Sequence, residues 1–287
     1  MQRVTQHKAQ RGFMTIAQNG PVDYLRLAYV QAMSIKLTMP QSLYAIAVDQ
    51  NTLELVTDKH RQVFDYVITI EDDLAKDEQW KLGNEWQVFN LTPFKETIKL
   101  ESDLLITRDI YHWWDAFRLR SMVLSVGCRD YLQNISNTRK YRKVFDDNEL
   151  PDVYNGLMYF RYTQESADFF QLAEQIYRNW DYIRDNVLIN CRDPNPTTDV
   201  VYALVSKIIG VEKCTIPSLD WINFVHMKPA VNNWPNTPWH DLVVCETDLP
   251  MIRINNINQY HPLHYHEKLW VTDQLIEEYE ICLQKQN

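Results

Sequence analysis

The stretch TIKLESDLLIT (97–107) places two carboxylates, Glu101 and Asp103, inside a run that otherwise reads as buried. Alternation along an extended strand sends residues i and i+2 to one face, so the two charges are expected side by side. Like charges that close repel, and burying them without a partner costs several kcal/mol. A divalent cation removes the conflict, because Mg²⁺ or Mn²⁺ takes hard oxygen ligands, often one or two carboxylates plus phosphate oxygens. The plainer alternative is a strand end emerging into solvent, and an acidic-x-acidic triplet alone is frequent enough to leave both open.

Upstream of this stretch, GFMTIAQNG (12–20) reads as a buried strand ending in a polar turn. VDYLRLAYVQAMSIKLT (22–38) has apolar residues at helical spacing, and SLYAIAVDQ (42–50) and FDYVITI (64–70) read as two more strands, the last leading into the acidic loop EDDLAKDEQ. That order predicts an α/β fold, an open and mostly parallel sheet flanked by helices. Ligands of such sheets bind at the carboxyl ends of the strands, where Asn19, Asp49 and Asp103 fall. TPFKETI (92–98) is expected to hold a helical turn, RDIYHWWDAFRLR (108–120) a helix, and SMVLSVG (121–127) and VYNGLMYFRY (153–162) strands. Helices are also expected over 165–183 and 200–209. From about 215 the chain turns rich in Pro, Trp, Asn and His, which predicts an irregular C-terminal wrap and a final helix near 272–284. The domain reading is a catalytic unit over 1–230 and an extension over 231–287 packing on it.

Composition narrows the function. Of 287 residues, nine are Trp, sixteen Tyr and ten Phe, which suits a well-filled core, and the net charge of −9 argues against polyanion binding through the overall field. Nucleic-acid binding would need a local basic patch; one candidate runs from Arg118, Arg120 and Arg129 to NTRKYRK (137–143), and a solvated loop is the dull alternative. The five cysteines show no CxxC, arguing for reduced thiols and against a zinc knuckle. The N-terminal MQRVTQHKAQRGF has no apolar core, so no signal peptide is expected, and no apolar run approaches the ~18 residues of a membrane span. The expected location is the cytoplasm, with no membrane partner. Six glycines with no GxGxxG, no GxxxxGK[ST] and no GxSxG weaken dehydrogenase, P-loop and hydrolase-elbow readings.

LTPFKETIKLESDLLI (91–106) resembles the donor-site segment of GT-A-fold glycosyltransferases, whose PF-x-x-T-x-x-L-D-x-D pattern delivers a DxD motif at a strand end. Pro93, Phe94, Thr97, Leu100 and Asp103 match, and Glu101 stands where the first aspartate is usual. The resemblance implies a nucleotide-diphospho-sugar transferase fold and a Mn²⁺ or Mg²⁺ ion held by Asp103 and Glu101. LPDVYNGLMYFR (150–161) is similar to the family's N-x-G strand, placing Asn155 and Gly156 at the donor sugar, and PTTDVVYAL (196–204) implies Asp199 as the catalytic carboxylate. FVHMKP (224–229) resembles the histidine-lysine-proline element, implying His226 as third metal ligand and Lys228 on the diphosphate, although the usual glycine between them is missing. Ala17, Asn19, Asp49, Lys81 in WKLGN and Ser102 complete the expected donor contacts. HPLHYHEK (261–268) is read as a flap packing its histidines, with a zinc site as the alternative.

The implied activity is metal-dependent transfer from a UDP-sugar to a hydroxyl acceptor, with retention of configuration. The chain also resembles phage-encoded glycosyltransferases that decorate hydroxymethylcytosine in DNA, including those adding arabinose. That implies a host-cytoplasmic enzyme whose 118–143 segment meets phosphates, with Trp113 and Trp114 stacking on a flipped base. A polysaccharide, lipid or protein acceptor fits the same donor motif; a metal-dependent phosphoesterase and a binding module that lost its chemistry are the rivals from other classes.

Overall fold

The computed structural model describes residues 9–76 and 78–286. Its main sheet is built from β1 (Ala9–Ile16), β2 (Tyr44–Val48), β3 (Tyr66–Thr69) and β4 (Phe94–Leu100), followed in the chain by β5 (Leu104–Leu105), β6 (Met122–Val126), β7 (Cys128–Arg129), β8 (Ile135–Ser136) and β9 (Val153–Arg161). The six-stranded order is β3-β2-β1-β4-β9-β6. β1 to β4 run parallel, and β9 lies antiparallel to both β4 and β6.

Strand alternation divides the core between two faces. Phe13, Ile46, Ile98 and Tyr159 point to one face, where the helix Tyr24–Thr38 covers them. Met14, Ala45, Phe94 and Phe160 point to the other, beneath the helices Gln164–Arg178 and Thr198–Ile209. A sheet covered on both faces needs unbroken apolar strands, and YAIAV of β2 is buried throughout. Each fully buried large apolar side chain contributes about 1.5–3 kcal/mol.

The C-terminal residues enter the same core. β10 (Val225–His226), β11 (Cys245–Asp248), β12 (Met251–Ile254), β13 (Ile257–Asn258) and β14 (Leu263–His264) precede a helix over Asp273–Gln286. Ile252, Leu263, Tyr265 and Tyr279 pack with Phe13 and the helix Tyr24–Thr38. β14 and β10 belong to a second sheet of order β5-β14-β10-β7-β8.

Four expectations change. TPFKETI lies in β4 from Phe94 onward, and the helical turn precedes it at Val88–Leu91. In 108–120 only Trp113–Phe117 is helical, and the expected 165–183 helix is split at Asn179. Strand β4 ends at Leu100, so Glu101 and Asp103 sit on a turn, with β5 resuming at Leu104.

Candidate active site

The turn after β4 is held from three sides. Glu101 N donates to Gly156 O (2.9 Å) and Leu104 N to Glu101 O (3.1 Å). From the helix behind, buried Gln31 donates to the carbonyls of Glu101 (2.5 Å) and Leu104 (2.7 Å), and Tyr44 Oη donates to the Gln31 carbonyl oxygen (2.7 Å). The Tyr154 ring packs over Gly156 so closely that a Cβ there would lie 2.5 Å from it, with Glu101 Oε2 at 3.3 Å, which favours glycine at 156.

β14 adds the third group. Its antiparallel register against β5 sets His264 opposite Leu104, and Tyr265 N donates to Asp103 O (3.1 Å). His264 Nε2 then lies 3.0 Å from Asp103 Oδ2 and 3.3 Å from Glu101 Oε2. Among the described residues, Glu101, Asp103 and His264 form a cluster whose ligand atoms all lie within 4.8 Å of one another. Two carboxylates and an imidazole converging so closely are a donor set for a divalent cation.

His226 is one strand further away. The parallel register of β10 on β14 pairs it with His264, and the rings stack at 4.5 Å and 5°. Its Nε2 meets Tyr141 Oη at 3.1 Å, and its Nδ1 is sealed without a partner among the described residues. The structure thus sets His264, which the flap reading of HPLHYHEK passed over, against the carboxylates where the sequence reading had His226.

The charges follow from the crowding. Burial raises the Glu101 carboxyl above its ordinary range, with Asp103 adding to the rise and His264 opposing it. Burial pushes Asp103 up too, but His264 and Lys268 outweigh it and hold that carboxyl well below the usual range. Lys268 forms an ion pair with Asp103 Oδ2, and its ammonium is raised because that attraction exceeds the cost of burial.

Beside this cluster lies a buried polar floor. Lys99, two residues before Glu101 on β4, is 1% exposed and forms an ion pair with Glu85 at 2.5 Å. Lys99 Nζ also donates to Asn155 Oδ1 (3.1 Å), and Asn155 Nδ2 reaches Glu85 (3.4 Å) and Glu101 (3.3 Å). Asn155 N donates to Asp199 Oδ1 (2.8 Å), whose other oxygen takes an ion pair from Arg142. Asn155 therefore links the metal-type cluster, the Glu85–Lys99 pair and Asp199.

A cavity of about 360 Å³ opens over these groups. Of the residues expected from sequence, Lys81, Glu101, Ser102, Asp103, Asp199 and Lys228 line it. Asn155, Gly156 and His226 stand behind the wall, as just described. Ala17 is buried, with its N–H on Ala47 O (2.9 Å). Asn19 caps the Tyr24–Thr38 helix region through Leu25 N (2.8 Å), and Asp49 caps the next turn through Thr52 N (2.8 Å). Lys81 Nζ is tied to Ala75 O (2.7 Å) and lies 4.0 Å from Asp49. Glu85, His264 and Lys268 also line the cavity and were missed. For Lys268 the available signal was a lysine close behind a histidine, the same pairing used to choose His226 and Lys228.

The 118–143 segment is mostly spent internally. Arg118 pairs with Glu96 (2.8 Å), Arg139 with Asp146 (2.7 Å), and Arg129 donates to the carbonyls of Gln133 and Asp220. Trp113 and Trp114 are core residues, 0% and 1% exposed, so neither presents a face for a base to stack on. No helix among the described residues is long and apolar enough to cross a membrane.

No family model and no curated protein matches the chain. Solved structures do. The galactosyltransferase LgtC in complex with donor and acceptor sugar analogues is 11% identical, with a TM-score of 0.54 over 96% of this chain and 95% of that one. The apo form of the glycosyltransferase GlyE from Streptococcus pneumoniae TIGR4 is also 11% identical, with a TM-score of 0.54 over 96% of this chain and 62% of that one. At these identities the likeness is one of architecture: a central, mostly parallel sheet flanked by helices, the GT-A glycosyltransferase fold.

Proposed function

We propose that the chain transfers a glycosyl group from a nucleotide-diphosphate donor, a UDP-sugar, to a hydroxyl acceptor, with Mn²⁺ or Mg²⁺ held by Glu101, Asp103 and His264. The observation that carries this reading is the convergence of those three groups at the carboxyl end of β4, in a cavity of a GT-A-type sheet. When bound, such a cation neutralises charge developing on the leaving diphosphate. Lys268 stands beside Asp103 to share that task, and Lys228 lines the same cavity from the other side. Asp199 is the catalytic carboxylate in this reading. Arg142 and the Asn155 N–H occupy its two oxygens, which fixes its orientation at the sugar. Glu85, anchored by Lys99, is a second carboxylate on the sugar side. Retention of configuration is carried over from the sequence resemblance and is read from the anomer of the product.

For the acceptor we retain a hydroxyl group. A hydroxymethylcytosine in DNA keeps as support only the exposed Lys143 at the end of the basic segment, since the tryptophans and the arginines Arg118, Arg139 and Arg142 are committed to the fold. The test is thermal unfolding with UDP, with Mn²⁺ and with both, followed by UDP release from a panel of UDP-sugars. A donor present at ~100 Kd adds about 2.7 kcal/mol of stability. No response to any nucleotide with metal overturns the proposal, and metal-dependent cleavage of phosphate esters without sugar transfer replaces it with the phosphoesterase.

A further inference from the structure

A second cavity of about 420 Å³ adjoins the first. The two share Tyr154, Thr197, Asp199 and Lys228 as a common wall. The metal-type cluster and Lys268 line only the first cavity, whereas Arg142, Lys143 and Arg192 line only the second. The charged lining of the second is thus four cations, counting Lys228, against two carboxylates, Asp193 and Asp199. In a chain of net charge −9, such a local excess of positive charge runs against the whole.

The cations are only partly compensated, Lys143 lying 4.0 Å from Asp147. Asp199 is taken by Arg142, whose guanidinium lies 4.8–5.2 Å from the rings of Tyr141, Phe145 and Tyr154. Arg142 Nη1 is sealed with no hydrogen-bond partner among the described residues. Half-buried Lys228 lies 4.0 Å over the Tyr141 ring, its remaining contact among the described residues being with that π-face rather than a carboxylate or carbonyl. Burial first, and then the neighbouring Arg142 charge, lower its ammonium below the ordinary lysine range. Crowded cations that outnumber their counter-charges are costly, and an anion between them relieves the cost. In the first cavity the donor diphosphate would meet Lys268 and the Glu101–Asp103–His264 cluster, which leaves Lys228, on the shared wall, to face the second cavity.

We propose that the second cavity binds a phosphate group carried by the acceptor, held by Lys228, Arg192 and Lys143 in the field of Arg142, so that the acceptor hydroxyl meets the donor sugar at the shared Asp199 wall. This rests on the transferase reading above and names its acceptor class: a phosphate ester.

The test is calorimetric titration of protein saturated with UDP and Mn²⁺, so that the donor cavity is filled. Glucose 6-phosphate is expected to bind and glucose is not. The double variant Lys143→Gln/Arg192→Gln changes two exposed side chains, so its fold is preserved. It is expected to weaken glucose 6-phosphate binding at least 10-fold while UDP affinity stays within twofold. Lys228→Met should weaken phosphate binding as well. A pentathymidylate arm separates the sources: tighter binding than glucose 6-phosphate, lost in the same double variant, assigns the phosphate to a nucleic-acid strand, and weaker binding assigns it to a small sugar phosphate. Equal binding of glucose and glucose 6-phosphate overturns the proposal, as does equal weakening of UDP and phosphate in the double variant. Repeating the titration without nucleotide separates the two readings. If UDP fails to bind but phosphate binding persists and depends on Arg192 and Lys143, the donor reading falls and the anion subsite stands.

Discussion

Replacing Lys99 by Met tests the buried floor of the site. Lys99 is 1% exposed, and the Glu85 side chain that it meets at 2.5 Å is 7% exposed, so removing the cation strands a carboxylate away from water. Breaking one partner of a buried pair costs about 3–5 kcal/mol. Unfolding a chain of 287 residues has an entropy of about 0.6 kcal/mol/K, so Tm should fall by roughly 5–8 °C. The double variant Glu85→Leu/Lys99→Met removes both charges and refills the volume. Asn155 then loses Lys99 and Glu85 but keeps Glu101, a residual cost of about 1–3 kcal/mol that apolar packing partly offsets. The double variant should therefore be more stable than Lys99→Met alone, with a coupling energy of at least ~2 kcal/mol in the mutant cycle. Urea unfolding followed by far-UV circular dichroism reads all four proteins. If the costs of the single changes simply add, or Lys99→Met costs under ~1 kcal/mol, the pair is not the coupled anchor described here.

Three further outcomes are expected. His264→Ala should abolish the stabilisation by Mn²⁺ expected in thermal unfolding, whereas His226→Phe, which keeps a ring stacked on His264, should retain it; the opposite pattern would return the ligand role to His226. Asp199→Asn should leave UDP affinity within threefold and lower transfer by about 10²-fold or more, and unchanged turnover would remove Asp199 from the reaction. On acidification, burial and the nearby charges of Arg129 and Arg108 lower the His261 imidazole to about 4. The unfolded chain then takes up this proton first, near pH 6.5, so stability should fall between about pH 6.5 and pH 4. His226 and His266, also lowered by burial, contribute over the same window, so His261→Gln, which preserves a polar partner for Gln133, should reduce that slope without abolishing it, and an unaltered slope would show that His261 does not contribute.

The parallel part of the sheet was legible because local periodicity suffices to mark buried strands and an amphipathic helix. GFMTIAQNG, SLYAIAVDQ and FDYVITI all supply strands of one sheet, and the helix between the first two has its expected place. Glu101 and Asp103 stood out because two charges inside an apolar run demand a partner. The order of later motifs also brought attention to Asn155 and Asp199, whose side chain and backbone meet in the structure.

The choice between two histidines was beyond the reach of local pattern. His226 and His264 are paired residues on adjacent strands, and only the antiparallel register of β14 on β5 decides which ring faces the carboxylates. Glu85 and Lys99 look like ordinary surface charges in sequence; they become a buried pair because Lys81–Gln87 folds down onto the face of β4. The same applies to the basic segment, where long-range partners such as Glu96 neutralise arginines that appeared free. The sequence by itself determined the α/β layering and the conflict of charges at 101 and 103, because both arise between neighbours along the chain. Tertiary structure alone decided which imidazole, lysine and second carboxylate answer that conflict, because those contacts join segments up to 165 residues apart and depend on strand register.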